Sequence, residues 1–202
     1  MVAEPVPSFM PLDDYLTLDR ASAQRYEYID GYARLMSGGA IDHDAISVNV
    51  IRVVGDRLEG SPCRVHSSNL KVRLSPTRYV YPDGTVTCDE RDRGRGDELR
   101  YPRVIVEVLS PNTEAYDRGD KFGYYRECST IQEYVLVNAR RPSVEVYRRA
   151  GELWVLRAFA LDDEVELASL GIRCPAALLY RGVEFSDEEE GRSPAHNESD
   201  HS

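Results

Sequence analysis

The segment from Arg103 to Leu109 constrains the fold more than any other part of the sequence. Five of its seven residues are Val, Ile or Leu, a composition typical of a β-strand that is covered on both faces. Pro111 cannot continue a hydrogen-bonded ladder, so we expect the strand to end just before it. Glu107 then lies close to the C-terminal end of a buried strand, which is where open α/β sheets bind their ligands.

The carboxylate of Glu107 needs compensation in such a strand. A charged and unpaired carboxylate there would cost several kcal/mol. Three arrangements avoid this cost: Glu107 pairs with a cation, stays protonated, or lies at the open end of the sheet. At the level of the sequence these arrangements remain alternatives.

Periodic patterns on either side of this strand predict an α/β (α+β) fold with a central mixed β-sheet flanked by helices. A short helix should begin at Leu12, Asp30-Gly31 predicts a hairpin, and an apolar stripe predicts a long helix over residues 41–58. A second long helix is expected from about Thr113 to Cys128, with Lys121 and Tyr125 on one face. Further strands are predicted over residues 64–74, 79–88 with an interruption at Pro82, and 131–138, followed by a hairpin over residues 143–149 and 153–159 and a short element over residues 173–180.

Length and composition predict one folded domain, residues 12–182, between an N-terminal arm, residues 1–11, and an acidic disordered tail, residues 183–202. No stretch approaches the roughly 18 apolar residues of a membrane span. The N-terminus has no signal-peptide pattern, so we expect a cytoplasmic protein with no membrane partner. The net charge of −10 argues against coating by a polyanion, so a nucleic acid partner would need a local basic surface.

Two further groups of residues have ordinary interpretations. Cys63, Cys88, Cys128 and Cys174 show no CxxC spacing, which argues against zinc and gives little support to a disulfide framework. We therefore expect isolated, mostly buried thiols. Arg91, Arg93, Arg95 and Arg100 could contact phosphate, but acids alternate with them in the loop over residues 89–101, which favours a solvated loop of mixed charge.

Asp83, Glu107 and Lys121 form the set whose chemistry points to catalysis. Two carboxylates at neighbouring strand ends provide oxygen ligands for a hard divalent cation such as Mg²⁺. Such an ion polarises a phosphate and lowers the pKa of a bound water, and a nearby ammonium offsets charge on the phosphorus oxygens. Taken singly, these residues are more simply a turn aspartate, a strand-end glutamate and a solvated lysine. His43 invites a general-base interpretation, but its position near a helix start favours a hydrogen-bonding role.

Several short motifs follow one another along the chain. They are Tyr26-Glu27-Tyr28-Ile29-Asp30-Gly31, Met36-Ser37 with His43, Tyr81-Pro82-Asp83, Val106-Glu107-Val108-Leu109-Ser110-Pro111-Asn112-Thr113, Asp117 and Asp120-Lys121 with Tyr125, Glu133-Tyr134-Val135-Leu136-Val137, and Val144-Glu145-Val146-Tyr147. Together they resemble the Uma-type restriction endonuclease family of the PD-(D/E)XK superfamily. The resemblance covers roughly Leu12 to Phe159, and its most specific part is the Val-Glu-Val-Leu-Ser-Pro block followed by Asp and Lys.

The resemblance implies a restriction-endonuclease-like fold and a set of roles. Asp83 and Glu107 would be metal ligands, with the main-chain carbonyl of Val108 as a third. The usual lysine position, two residues after the acid, holds Leu109, so the resemblance assigns the lysine role to Lys121 on the following helix. Glu27 would be an extra acid near the active centre.

The function implied is a divalent-metal-dependent endonuclease that uses Mg²⁺ or Mn²⁺ and acts on DNA. The alternative is a nucleic-acid-binding or assembly protein that keeps the nuclease fold without efficient hydrolysis. A metal site that serves stability alone is a third interpretation. A homodimer is expected because an enzyme that cuts both strands commonly places two sites by twofold symmetry.

Overall fold

The structure is a computed structural model that describes residues 8–36, 39–94 and 96–185. Its helices and strands, in chain order, are α1 (Leu12–Ala21), β1 (Tyr26–Ile29), β2 (Tyr32–Leu35), α2 (Ile41–Arg57), β3 (Arg64–Ser67), β4 (Lys71–Ser75), β5 (Arg78–Val80), β6 (Gly84–Thr87), β7 (Glu98–Leu99), β8 (Pro102–Leu109), α3 (Glu114–Tyr116), α4 (Phe122–Glu127), β9 (Glu133–Asn138), β10 (Ser143–Ala150), β11 (Leu153–Ala160), β12 (Glu164–Leu167) and β13 (Ile172–Pro175). A π-helical turn, Asp117–Lys121, joins α3 to α4.

The central sheet has six strands in the order β11-β10-β9-β8-β6-β3. Strands β8 and β9 are parallel, and the other neighbours are antiparallel. The helical segment from α3 to α4 makes the crossover between β8 and β9, as parallel pairing requires. This is the mixed sheet with flanking helices that the sequence predicts.

A second sheet has five strands in the order β2-β1-β5-β4-β7. Its presence shows that two of the predicted strands were wrong, because each is divided between the two sheets. The predicted strand over residues 64–74 is two strands, because a turn at residues 68–70 sends β3 and β4 into different sheets. The predicted strand over residues 79–88 is likewise divided between β5 and β6. Pro82 lies at that break, where it interrupts the ladder as expected.

Strand β8 is buried on both faces, as predicted. Val104, Val106 and Val108 pack into the core on the α2 side of the sheet. Ile105 and Leu109 point the other way and pack with Tyr125 of α4 and Tyr134 of β9. Because side chains alternate along a strand, Glu107 belongs to this second, α4-facing side.

The cysteines contradict the expectation of isolated thiols. Cys63 and Cys88 form a disulfide, whereas Cys128 and Cys174 are free and buried. The register of two strands explains this disulfide. Arg64 pairs with Thr87 across β3 and β6, so Cys63, just before Arg64, and Cys88, just after Thr87, lie opposite each other. The sequence did not indicate this disulfide, because the two cysteines are 25 residues apart and two strands of the other sheet lie between them in the chain.

The predicted arm and tail fall largely outside the described residues. Of the arm, Met10 donates a backbone hydrogen bond to the Gly31 carbonyl, 2.8 Å away. Of the tail, Val183 and Phe185 pack against the core. No helix in the described ranges is long and apolar enough to cross a membrane.

Candidate active site

Strand register brings Asp83 and Glu107 together. Gly84 of β6 pairs with Val106 of β8, so the residues one step further on, Asp83 and Glu107, are neighbours at the end of this antiparallel pair. The backbone N–H of Val108 donates to Asp83 Oδ2 at 2.8 Å. This bond fixes the Asp83 carboxylate beside the C-terminal end of β8.

The carboxylate of Glu107 is buried among groups that bind it. Lys121 Nζ lies 2.9 Å from Glu107 Oε1, and the Tyr125 hydroxyl donates to the same oxygen at 2.6 Å. Desolvation raises the pKa of Glu107 to about 8, the Lys121 ammonium opposes this shift, and the charges of Asp117, Asp83 and Glu27 add to it. Two of the three alternatives from the sequence therefore meet here, because Glu107 has a cation partner and favours its protonated form.

Lys121 is the cation at the centre of this cluster. Its Nζ lies 2.9 Å from Glu27 Oε1 and 3.7 Å from Asp117 Oδ1, in addition to its contact with Glu107. Burial disfavours the ammonium, but these carboxylates outweigh burial and raise the pKa of Lys121 well above its ordinary value. Lys121 ends the π-helical turn, a feature often found at functional sites.

Glu27, which the resemblance places near the active centre, joins the site from the other sheet. It lies in β1 and is buried. Besides its ion pair with Lys121, its Oε1 accepts the backbone N–H of Tyr81 at 3.3 Å. The site is therefore built where the two sheets meet.

His43, near the start of α2, contacts Asp83. Its Nε2 lies 3.3 Å from Asp83 Oδ2. The hydrogen bond to Asp83 raises the pKa of His43 despite the opposite effect of burial. A hydrogen-bonding role, as predicted, describes this contact.

These residues line a cleft of about 260 Å³. Its wall contains the carboxylates Glu27, Asp83, Glu107 and Asp117 and, as its buried cation, Lys121. Arg34 of β2 and Tyr116 of α3 also line the cleft. The acids outnumber the ammonium, and such an imbalance favours an additional cation.

The donor chemistry of the cleft fits a hard divalent ion. Within the described ranges, no three His, Cys, Asp or Glu side chains are grouped so as to hold a metal. Two carboxylates and one main-chain carbonyl suit Mg²⁺ nonetheless, since this ion keeps several waters as ligands. Asp83, Glu107 and the carbonyl of Val108 would be those protein ligands.

All five residues proposed from the sequence line this one cleft: Asp83, Glu107, Lys121, Glu27 and Val108. Their catalytic and metal-binding roles remain predictions. Sequence reasoning missed Arg34 and Tyr116, and it did not predict the hydrogen bond from Tyr125 to Glu107. The two-residue hairpin at Asp30-Gly31 was a usable signal for Arg34, because its register sets Arg34 opposite Glu27.

The charged loop over residues 89–101 follows β6 and therefore lies at the end of the central sheet away from the cleft. Arg91 pairs with Asp89, Arg93 with Glu90 and Arg100 with Glu98. Arg95 lies outside the described residues. This pairing agrees with the predicted mixed charge, but the segment is not a solvated loop throughout, because Glu98 and Leu99 form β7 and Leu99 is buried.

One solved structure is similar to this chain in fold, and two proteins are similar to it in sequence. A crystal structure described as a putative nuclease belonging to DUF820, from Anabaena variabilis ATCC 29413, superposes with a TM-score of 0.70 over 87% of this chain and 98% of that one, at 19% sequence identity. The uncharacterised protein slr1290 of Synechocystis sp. is 36% identical over 183 residues, which is 90% of this chain and 96% of that protein. The uncharacterised protein sll1609 of the same organism is 26% identical over 164 residues, 79% of this chain and 93% of that protein.

The fold is thus that of the restriction-endonuclease-like class of mixed α+β proteins. The sequence model of the Uma2 family, described as "Putative restriction endonuclease", matches residues 12–177. The chain belongs to this family.

Proposed function

We propose that the chain is a divalent-metal-dependent endonuclease that hydrolyses phosphodiester bonds in DNA. The observation that carries the proposal is the convergence of Asp83 and Glu107 at neighbouring strand ends, with the Lys121 ammonium 2.9 Å from Glu107. Membership of a nuclease family and the cleft around these groups support it.

The proposed mechanism gives each side chain one task. Asp83, Glu107 and the Val108 carbonyl would hold Mg²⁺ or Mn²⁺, which would polarise the phosphate and make a water more acidic. Lys121 offsets the negative charge that develops on the phosphate oxygens. Glu27 holds Lys121 in place from the second sheet, and Tyr125 orients the Glu107 carboxylate.

The test is cleavage of supercoiled and linear DNA at low salt with Mg²⁺ or Mn²⁺. We expect metal-dependent cleavage by the wild type and its loss in Glu107→Ala and in Lys121→Ala. Lys71→Ala is the matched control, because Lys71 also forms a buried ion pair, 2.7 Å from Asp19, but does not line the cleft. Loss in Glu107→Ala alone would remove Lys121 from the mechanism.

One observation favours the alternative of a binding or assembly protein without efficient hydrolysis. His43 already contacts Asp83, which is one of the three proposed ligands. If this contact persists with metal present, the ligand set stays incomplete. A folded wild type that cuts no DNA under any of these conditions, and binds DNA nonetheless, would establish the alternative.

A twofold homodimer would give such an enzyme one site for each DNA strand. We place the interface at β11, an eight-residue edge strand of the central sheet on which Leu153, Val155 and Leu156 are exposed. Long apolar edge strands promote pairing between chains, whereas lysine on an edge opposes it. Light scattering should give a dimer mass for the wild type and a monomer mass for Val155→Lys; a monomeric wild type would contradict the assignment.

A further inference from the structure

The acidic cleft presents a problem for a polyanionic substrate. Its carboxylates outnumber its buried cation, Lys121, which is already shared between Glu27, Glu107 and Asp117. A phosphate that approaches the mouth of the cleft meets this negative charge before it reaches the site. A nuclease of this construction therefore needs an available cation at the mouth.

Arg34 is placed to supply that cation. It lies on β2, the edge strand of the second sheet, directly opposite Glu27 of β1. Glu27 turns toward Lys121 and does not pair with Arg34. The guanidinium carbon of Arg34 instead lies over the ring of Tyr116, 4.6 Å from the ring centroid.

The contact with Tyr116 orients Arg34 without consuming its hydrogen-bonding capacity. In the part of the chain that the structure describes, no carboxylate forms an ion pair with Arg34. A cation–π contact uses the face of the guanidinium and leaves the N–H groups on its edge free. Those N–H groups match the oxygens of a phosphate, which they bind in bidentate geometry.

We propose that Arg34 binds a backbone phosphate of the nucleic acid substrate at the mouth of the cleft, and that Tyr116 is the positioning residue for its guanidinium. This inference rests on the proposed nuclease function and extends it to substrate binding. It predicts that Arg34 contributes to affinity and to the salt dependence of binding, and that the aromatic ring of Tyr116, rather than its hydroxyl, is the part that matters.

Arg25 provides a matched control. It is also exposed and also lies over a tyrosine ring, with its guanidinium carbon 5.9 Å from the centroid of Tyr81. Its N–H group donates to Asn69 Oδ1 at 2.7 Å, and Arg25 does not line the cleft. Arg25→Ala therefore removes the same charge, just before β1, from a residue that does not line the cleft.

The experiment measures binding of a short fluorescein-labelled DNA duplex by anisotropy, with Ca²⁺ in place of Mg²⁺, over a series of KCl concentrations. For Arg34→Ala we expect roughly ten-fold weaker binding and a slope of log K against log[salt] reduced by about 0.9. Arg25→Ala should stay close to the wild type. Tyr116→Phe should bind as the wild type does, and Tyr116→Leu should lose part of the affinity.

The outcomes separate this inference from the proposed function. If the wild type binds and cleaves DNA while Arg34→Ala binds equally well, or no worse than Arg25→Ala, the role of Arg34 is overturned and the nuclease function stands. If Tyr116→Phe weakens binding as much as Tyr116→Leu, the role of the ring is overturned. If the wild type neither binds nor cleaves DNA, both proposals fail together.

Discussion

Two buried glutamates lie on the neighbouring parallel strands β8 and β9, and their surroundings differ. Glu133 begins β9 and is fully buried, yet it accepts hydrogen bonds from Arg148 Nε, from the backbone N–H groups of Ala168 and Ser169, and from the Ser169 hydroxyl. Glu107, near the other end of β8, accepts from Tyr125 and shares Lys121 with two other carboxylates.

The difference lies in how far the surroundings of each glutamate satisfy its carboxylate. At Glu133, hydrogen-bond donors satisfy the carboxylate, as a stable core requires. At Glu107, acids exceed cations, an arrangement that costs stability and that a bound divalent ion would relieve. The candidate site is therefore distinguished by carboxylates that outnumber the cations and hydrogen-bond donors around them.

The largest expected effect is the loss of stability when Glu133 is removed. Glu133→Ala removes the buried carboxylate that accepts from Arg148, from two backbone N–H groups and from the Ser169 hydroxyl, and should lower the unfolding free energy by about 3 kcal/mol. Glu107→Gln, its counterpart in the cleft, should cost far less, because it removes one acid from an acidic cluster. Urea denaturation of both variants compares them, and equal losses would abolish the distinction.

The pH dependence of stability should report the protonation of Glu107. Because the pKa of Glu107 is raised from 4.5 to about 8 in the folded chain, the folded state holds a proton that the unfolded state releases. The unfolding free energy should therefore fall as pH rises from about 4.5 to about 8, by at most about 1.4 kcal/mol per pH unit. In Glu107→Gln, measured in EDTA, this part of the slope should vanish; an unchanged slope would place the titration elsewhere.

The smallest expected effect concerns two buried tyrosines. Tyr125 donates to Glu107 in the cleft, whereas Tyr134 donates to the backbone carbonyl of Asp117. Each change to Phe should cost about 1 kcal/mol of stability. Tyr125→Phe should also slow metal-dependent cleavage by releasing the carboxylate, whereas Tyr134→Phe should leave the rate per folded molecule close to that of the wild type. If the rate falls equally in both variants, the hydroxyl of Tyr125 has no specific role in cleavage.

Much of the fold follows from local patterns in the sequence. The long helix α2 and the hairpin at Asp30-Gly31 carry their periodicity and turn chemistry within a short stretch, and both agree with the structure. The division of residues 64–88 between two sheets could not be predicted from local patterns, because side chains alternate along a strand in the same way whichever sheet the strand joins. The Cys63–Cys88 bond was missed for the same reason, since it depends on which strands become neighbours.

The residues of the candidate site likewise differ in how far the sequence predicts them. Glu107 could be chosen because a carboxylate in a strand covered on both faces needs compensation, whereas Asp83 and Lys121 were supported mainly by the resemblance. The contact between Arg34 and Tyr116 joins β2 to a helix more than eighty residues later in the chain. No local pattern encodes such a contact, although the hairpin register had already set Arg34 opposite Glu27.

The most direct test of the account is a calorimetric titration of Mn²⁺ into the wild type, Asp83→Asn, Glu107→Gln and Glu133→Gln, each shown to be folded by circular dichroism. We predict that the wild type and Glu133→Gln bind Mn²⁺ with similar affinity and that the two cleft variants lose this binding. Equal binding by all four proteins, or no binding by the folded wild type, would contradict the claim that the acid excess around Glu107 is a metal site.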